Sequence, residues 1–174
     1  MKIALHRPFR LAAGLGLISA LALMGACATA PVMSLSEGGR SGAPAPVEGY
    51  DWFMHADAGE AVLAYGVADS DEVKLYLACR AGSGRLDLTA HGHDNAREIY
   101  LESGGDTERF PAASEPSAIH DGTLLTVSTT TDQPVFLRFR RLGWIAAWHG
   151  DAREVYVAHP GSEKGVEDFF SACG

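Results

Sequence analysis

Cysteine is scarce in this chain: three occur in 174 residues. No Cys-x-x-Cys pair is present, and neither Cys79 nor Cys173 has a histidine close by in sequence. A dithiol redox site or a Cys–His nucleophile therefore has no local signature. Positive charge is also short. Fourteen Lys and Arg face 22 Asp and Glu, for a formal net charge of −8. An acidic surface argues against nucleic acid and against anionic bilayer as electrostatic partners. Uninterrupted apolar runs are missing too. The longest, Leu11 to Met24, is broken by Gly14, Gly16 and Ser19, and falls short of the roughly 20 residues of a spanning helix. H-E-x-x-H, G-x-S-x-G and Ser-x-x-Lys are all absent, which leaves zincin and serine-nucleophile chemistry without a motif.

What is present begins with an address. Lys2, Arg7 and Arg10 precede the apolar run, and small residues follow it. This is the pattern of a secretory signal peptide. Leu23-Met24-Gly25-Ala26-Cys27 resembles the lipobox of bacterial lipoproteins. The resemblance implies cleavage between Ala26 and Cys27 and a lipid on the Cys27 sulfur. The competing reading is ordinary leader cleavage at Ala28-Thr29-Ala30, just before Pro31, or at Ala26-Cys27-Ala28. Acyl chains add about 0.8 kcal/mol per buried CH₂, so two or three give stable anchoring. In enteric lipoproteins an Asp after the lipidated Cys marks inner-membrane retention. Ala28 stands there in this chain, which points to the outer membrane. The expected location is the cell envelope, lipid-anchored and facing the periplasm.

Residues 1–26 are thus read as signal peptide. Loss of Lys2, Arg7 and Arg10 with it takes the net charge from −8 to about −11. Residues 27–49, punctuated by Pro31, Gly38, Gly39, Gly42, Pro44, Pro46 and Gly49, read as a flexible tether. Residues 50–174 are one domain, long enough for a single core. With Cys27 lipidated, the two remaining cysteines are expected to pair as Cys79–Cys173 in an oxidising compartment.

Alternation dominates the domain. Val73 to Arg80 is the clearest strand, with Val73, Leu75, Leu77 and Cys79 on one face and Lys74, Tyr76, Ala78 and Arg80 on the other. Gly82-Ser83-Gly84 turns it into Arg85–Thr89. Ala61–Val67, Arg97–Glu102, Thr107–Phe110, Thr123–Thr130, Trp144–Trp148 and Glu154–Ala158 also read as strands. Pro111 to Asp121 reads as irregular. Val135 to Arg140 reads as a strand with Val135, Leu137 and Phe139 inward and Phe136, Arg138 and Arg140 outward. Ser162 opens a short helix, with Val166, Phe169, Phe170 and Cys173 on one face. The fold class is mainly β: an antiparallel sandwich or barrel with a short C-terminal helix.

Ala96-Arg97-Glu98-Ile99-Tyr100-Leu101 echoes Ala152-Arg153-Glu154-Val155-Tyr156-Val157. Val73–Thr89 and Val135–Ala147 would be the matching hairpins of a duplicated three-strand unit, or the match is coincidence.

Three sets of residues carry candidate chemistry. His91-x-His93 puts two imidazoles on one face of an extended segment, as a Zn or Cu site wants, with Asp94 adjacent and His120, Asp121 and His149 able to converge. Gly92 and Asn95 make the same stretch read as a turn, where histidines are ordinarily solvated. No third ligand sits at diagnostic spacing, so no metal or other cofactor is assigned. Ser83 between glycines reads as a hairpin turn. Phe136, Arg138, Arg140, Arg141 and Trp144 form a basic-aromatic patch able to hold an acidic peptide, a glycan or a carboxylate. The same arginines also suit a solvated strand face.

Two resemblances add expectations. Ser103-Gly104 at a strand end is faintly similar to the Ser-Gly loop of periplasmic C-type lysozyme inhibitors. The Lys-Gly partner motif of that family has no strand-loop counterpart, since Lys164-Gly165 falls in the helix cap. Tyr65-Gly66-Val67, Cys79 with Gly82-Ser83-Gly84, and Phe169-Phe170 together resemble small envelope proteins of proteobacteria, which implies the compartment and the disulfide. The function expected is a non-catalytic binding or envelope-accessory module with an envelope protein or glycan as partner. The alternatives are a lysozyme-inhibitor-like protein, or a metal-binding protein or enzyme built on His91 and His93.

Overall fold

The computed structural model describes residues 44–117 and 122–174. The expected cleavage site, Cys27, Ala28 and the pair His120-Asp121 lie outside the described residues. Strands alternate because their residues do. In β1 (Tyr50–Asp57), β2 (Glu60–Val67), β3 (Val73–Arg80) and β4 (Arg85–Gly92), apolar side chains at every second position enter one core. β5 (Glu98–Ser103) and β6 (Asp106–Pro111) form the next hairpin. They are followed by β7 (Ala113–Pro116), β8 (Thr123–Thr130), β9 (Trp144–His149) and β10 (Ala152–Val157). Two antiparallel sheets result, in the orders β1-β2-β3-β4-β8-β7 and β10-β9-β5-β6. They share a core, as a sandwich does, with Tyr65 of the first sheet 4.9 Å from Tyr156 of the second.

The chain changes sheets twice in one corner. It leaves the first sheet between β4 and β5, through Asn95 at φ 64°. It returns between β6 and β7 across Ala112, whose N–H donates to the Arg97 carbonyl at 2.9 Å. Pro111 to Pro116, expected as irregular, is therefore the end of one edge strand and the whole of another.

Val135–Arg140 is not a strand. It lies in helix α1 (Pro134–Leu142), with Pro134 in the first turn and Gly143 closing it at φ 72°. The inward set is Val135, Phe136 and Phe139, all fully buried, while Leu137 is 54% exposed. The short window fitted both periods, and tertiary packing of the helical face decided. The proposed matching hairpin Val135–Ala147 accordingly does not exist. The echoed segments do form β5 and β10, on either side of β9, but their faces are inverted. Ile99 and Leu101 enter the main core from β5, whereas from β10 it is Tyr156 that enters. A copied unit would preserve which residues face inward, so the match is not a structural duplication.

Helix α2 (Glu163–Cys173) buries Val166, Phe169, Phe170 and Cys173, the face expected. Its start at Ser162 is as expected, but the Ser162 hydroxyl donates to the Asp51 carboxylate at 2.5 Å rather than serving as a helix cap. Phe170 meets both Phe136 and Phe139 of α1. The disulfide Cys79–Cys173 joins β3 to the end of α2, with its Cα atoms 5.7 Å apart. The Gly82-Ser83-Gly84 turn seats that end. Gly82 N–H donates to the Ala172 carbonyl and Gly84 N–H to the Cys173 carbonyl, each at 2.8 Å. Both glycines have φ near 65°, which a Cβ would strain.

Candidate functional site

A concavity lies at the corner where the chain crosses between sheets. β5 and β9 pair only at Tyr100↔Trp148, Leu101↔Ala147 and Glu102↔Ala146. Glu98, Ile99 and His149 lie beyond the last rung, and the strands part there. The gap is floored by small residues (Ala90, Gly92, Ala96 and Ala147) with Leu125, and walled by Trp148 and His149. Its volume is about 270 Å³. The floor is packed: a Cβ on Gly92 would lie 2.6 Å from the Leu125 side chain and 3.1 Å from that of Ala96. Gly122 approaches the Gly92 carbonyl so closely, at φ 105°, that only glycine fits. The Thr123 hydroxyl donates to the His93 carbonyl at 2.7 Å and ties β8 to the same corner.

A second, more open concavity of about 600 Å³ continues from the first. It shares His91, Gly92, His93 and His149 and adds Asp71, Glu72, Val73, Lys74 and Glu154. His91, His93 and His149, expected to be able to converge, thus line one groove. His91 lies in β4, opposite Leu124, so the strand runs further than Arg85–Thr89 and the segment through Gly92 is extended rather than turned. His93 is exposed, and its Nδ1 stands 3.0 Å from the Asp94 carbonyl. Among the described residues, no three His, Cys, Asp or Glu side chains gather closely enough to hold a metal ion.

The hydrogen bonds behind the groove are specific. The Tyr156 hydroxyl donates to Glu154 Oε2 at 3.2 Å, and His149 Nε2 lies 3.4 Å from the same hydroxyl and 3.6 Å from the same carboxylate oxygen. Burial pushes the Tyr156 phenol well above its ordinary range, and the Glu154 charge adds to this, so it stays a neutral donor. A register shift at Tyr65/Gly66 breaks the β2–β3 ladder. Gly66 is required there, because a Cβ would lie 2.3 Å from the Glu72 carbonyl oxygen. Past this bulge, Lys74 departs from the outward-facing set assigned to it: its ammonium lies 5.7 Å from the Tyr50 ring centroid and 3.3 Å from Glu72. Tyr50 also donates to Glu72. At the other end, Glu98 accepts from Arg109 and Tyr100, and the Arg109 hydrogen bond holds its carboxyl down at about 2.

The basic-aromatic patch is split, because its arginines stand on a helix rather than a strand: Arg138, Arg141 and Trp144 line one open concavity of about 670 Å³, and Arg140 does not. Arg138 donates to the Ser103 carbonyl at 2.7 Å and to Glu108 at 2.8 Å. Arg140 grips Glu167 with two nitrogens. Phe136 is buried, and Trp144 is only 8% exposed, with the Arg153 guanidinium 5.5 Å from its ring centroid. Of the patch's three arginines, Arg141 makes no hydrogen bond or ion pair among the described residues. Ser103 is fully buried, its hydroxyl donating to the Trp144 carbonyl, and Lys164 pairs with Asp168 inside α2. The Ser83 hydroxyl accepts from the Arg85 N–H within its turn.

Trp148, Glu154, Asp71 and Arg97 line the groove without having been singled out as ligands. Their only sequence signal was indirect: Arg97 and Glu154 lie within the two echoed segments. Comparison with protein-family models, with curated sequences and with solved structures finds no match to this chain.

Proposed function

We propose that this chain is a lipid-anchored protein of the bacterial cell envelope whose β domain is a non-catalytic binding module. The anchor reading is supported by the order of basic residues, broken apolar run, small residues and Cys27. It is also supported by the way the other two cysteines pair with each other, which leaves Cys27 available for a lipid. The binding reading is carried by one observation: the groove at the corner between sheets, opened by the early end of the β5–β9 ladder and lined by imidazoles and Trp148. Concave sites with an apolar floor and a few convergent polar groups are where proteins hold small ligands or peptide segments. The domain faces the periplasm, most simply from the outer membrane, and its partner is an envelope protein or glycan.

Two experiments test this. Radiolabelled palmitate should enter the wild-type chain and not Cys27→Ser; equal labelling, or none in the wild type, removes the anchor. Capture from envelope extract should depend on the groove. The same partner recovered by Trp148→Ala/His149→Ala would place binding elsewhere on the domain.

A further inference from the structure

We infer that the groove binds a short peptide with both termini free, its carboxylate held toward Arg97 and its ammonium toward Asp71 and Glu154. The inference rests on the binding-module reading above and names the ligand class of that same site.

Charge along the groove is divided. Among the described residues that line the inner concavity, the charged groups are Arg97 and Glu98, beside three imidazoles. Glu98 is already engaged by Arg109 and Tyr100. The Arg97 side chain is exposed and makes no ion pair or hydrogen bond among the described residues. The inner end is therefore left with an unmatched positive charge. Among the described residues, the outer concavity is lined by Asp71, Glu72 and Glu154 and by one cation, Lys74, and Lys74 is already 3.3 Å from Glu72. That end has a surplus of negative charge. His91, Gly92, His93 and His149, common to both concavities, lie between the two ends. A ligand carrying only one sign of charge would meet repulsion at one end. A zwitterion is matched at both.

Backbone geometry points the same way. Both strands continue past the last β5–β9 rung at Tyr100↔Trp148. There β5 keeps β6 beside it and β9 keeps β10, but no rung joins β5 to β9, and an extended peptide can lie along such a gap. The inner volume of about 270 Å³ admits a few small residues rather than a folded surface. The small-residue floor sets no deep side-chain pocket, so selection falls on the termini.

The test is calorimetric titration of the full-length chain in detergent with trialanine, N-acetyl-trialanine, trialanine amide and the doubly capped peptide. Trialanine should bind saturably, and each cap should weaken it by about tenfold. Arg97→Gln should abolish discrimination against the amide and keep discrimination against the acetyl form. Asp71→Asn/Glu154→Gln should do the reverse. These side chains are exposed, so unchanged melting temperatures will certify folding. Equal affinity for trialanine and the doubly capped peptide overturns the inference, as does discrimination against the amide that survives Arg97→Gln. Absence of trialanine binding at millimolar peptide also overturns it. If capture from envelope extract then still depends on Trp148 and His149, the binding-module reading stands and only the ligand class has failed.

Discussion

At the scale of single residues, the groove depends on glycine and on charge pairing. Gly66 is set by the bulge that separates Lys74 from the outward row of its strand. Gly66→Ala drives a methyl against the Glu72 carbonyl. It should destabilise the domain by about 1–3 kcal/mol, read from urea denaturation. Glu98 gives a pH signature. Its folded-state carboxyl lies below the unfolded value, so its stabilising contribution is present above about pH 4.5 and is lost as pH falls through about 2. Carboxyl carbon NMR should show Glu98 titrating near 2 in the wild type and markedly higher in Arg109→Gln. An ordinary midpoint in the wild type would remove the pairing in solution. None of this was legible in sequence. Glu98 and Arg109 are joined only by the β5–β6 hairpin, and nothing local to Gly66 marks the register shift.

At the scale of elements, α1 gives the sharpest lesson. Apolar residues at 135, 137 and 139 imitate a strand, while those at 135, 136 and 139 make a helix face. Packing of Phe136 against Phe110 and Phe170 selects the helix face. Truncation separates the two cases. Phe136→Ala should cost about 3–5 kcal/mol, as a buried ring leaves a cavity. Leu137→Ala, more than half exposed, should change stability by less than about 0.5 kcal/mol. Equal losses would argue against the helix. Pro134 and Gly143, at its two ends, were the helix signals present in the sequence. By contrast, β3 was fully legible in extent, because eight residues of unbroken alternation admit one period. The two echoed segments were legible as strands, but not in their facing, since parity is set by pairing with β9.

At the scale of the molecule, one covalent link holds the last helix to the third strand over a separation of 94 residues. Constraining so long a loop contributes about 2–5 kcal/mol through the unfolded chain. Reduction, or Cys79→Ser/Cys173→Ser, should lower the unfolding midpoint accordingly. Spectra of the two forms below the transition should match, since Phe169 and Phe170 seat α2 independently. The pairing of Cys79 with Cys173 was expected because the resemblance to a lipobox set Cys27 aside; composition and periodicity alone determined that the domain is mainly β and that its last helix is amphipathic. Each of these follows from counting residues or from repeats within a few neighbours. Tertiary structure decided the rest: two open sheets sharing a core, the helix at 134–142 and the groove at the sheet corner. These depend on where ladders end and which faces meet, and such choices are made between residues tens of positions apart.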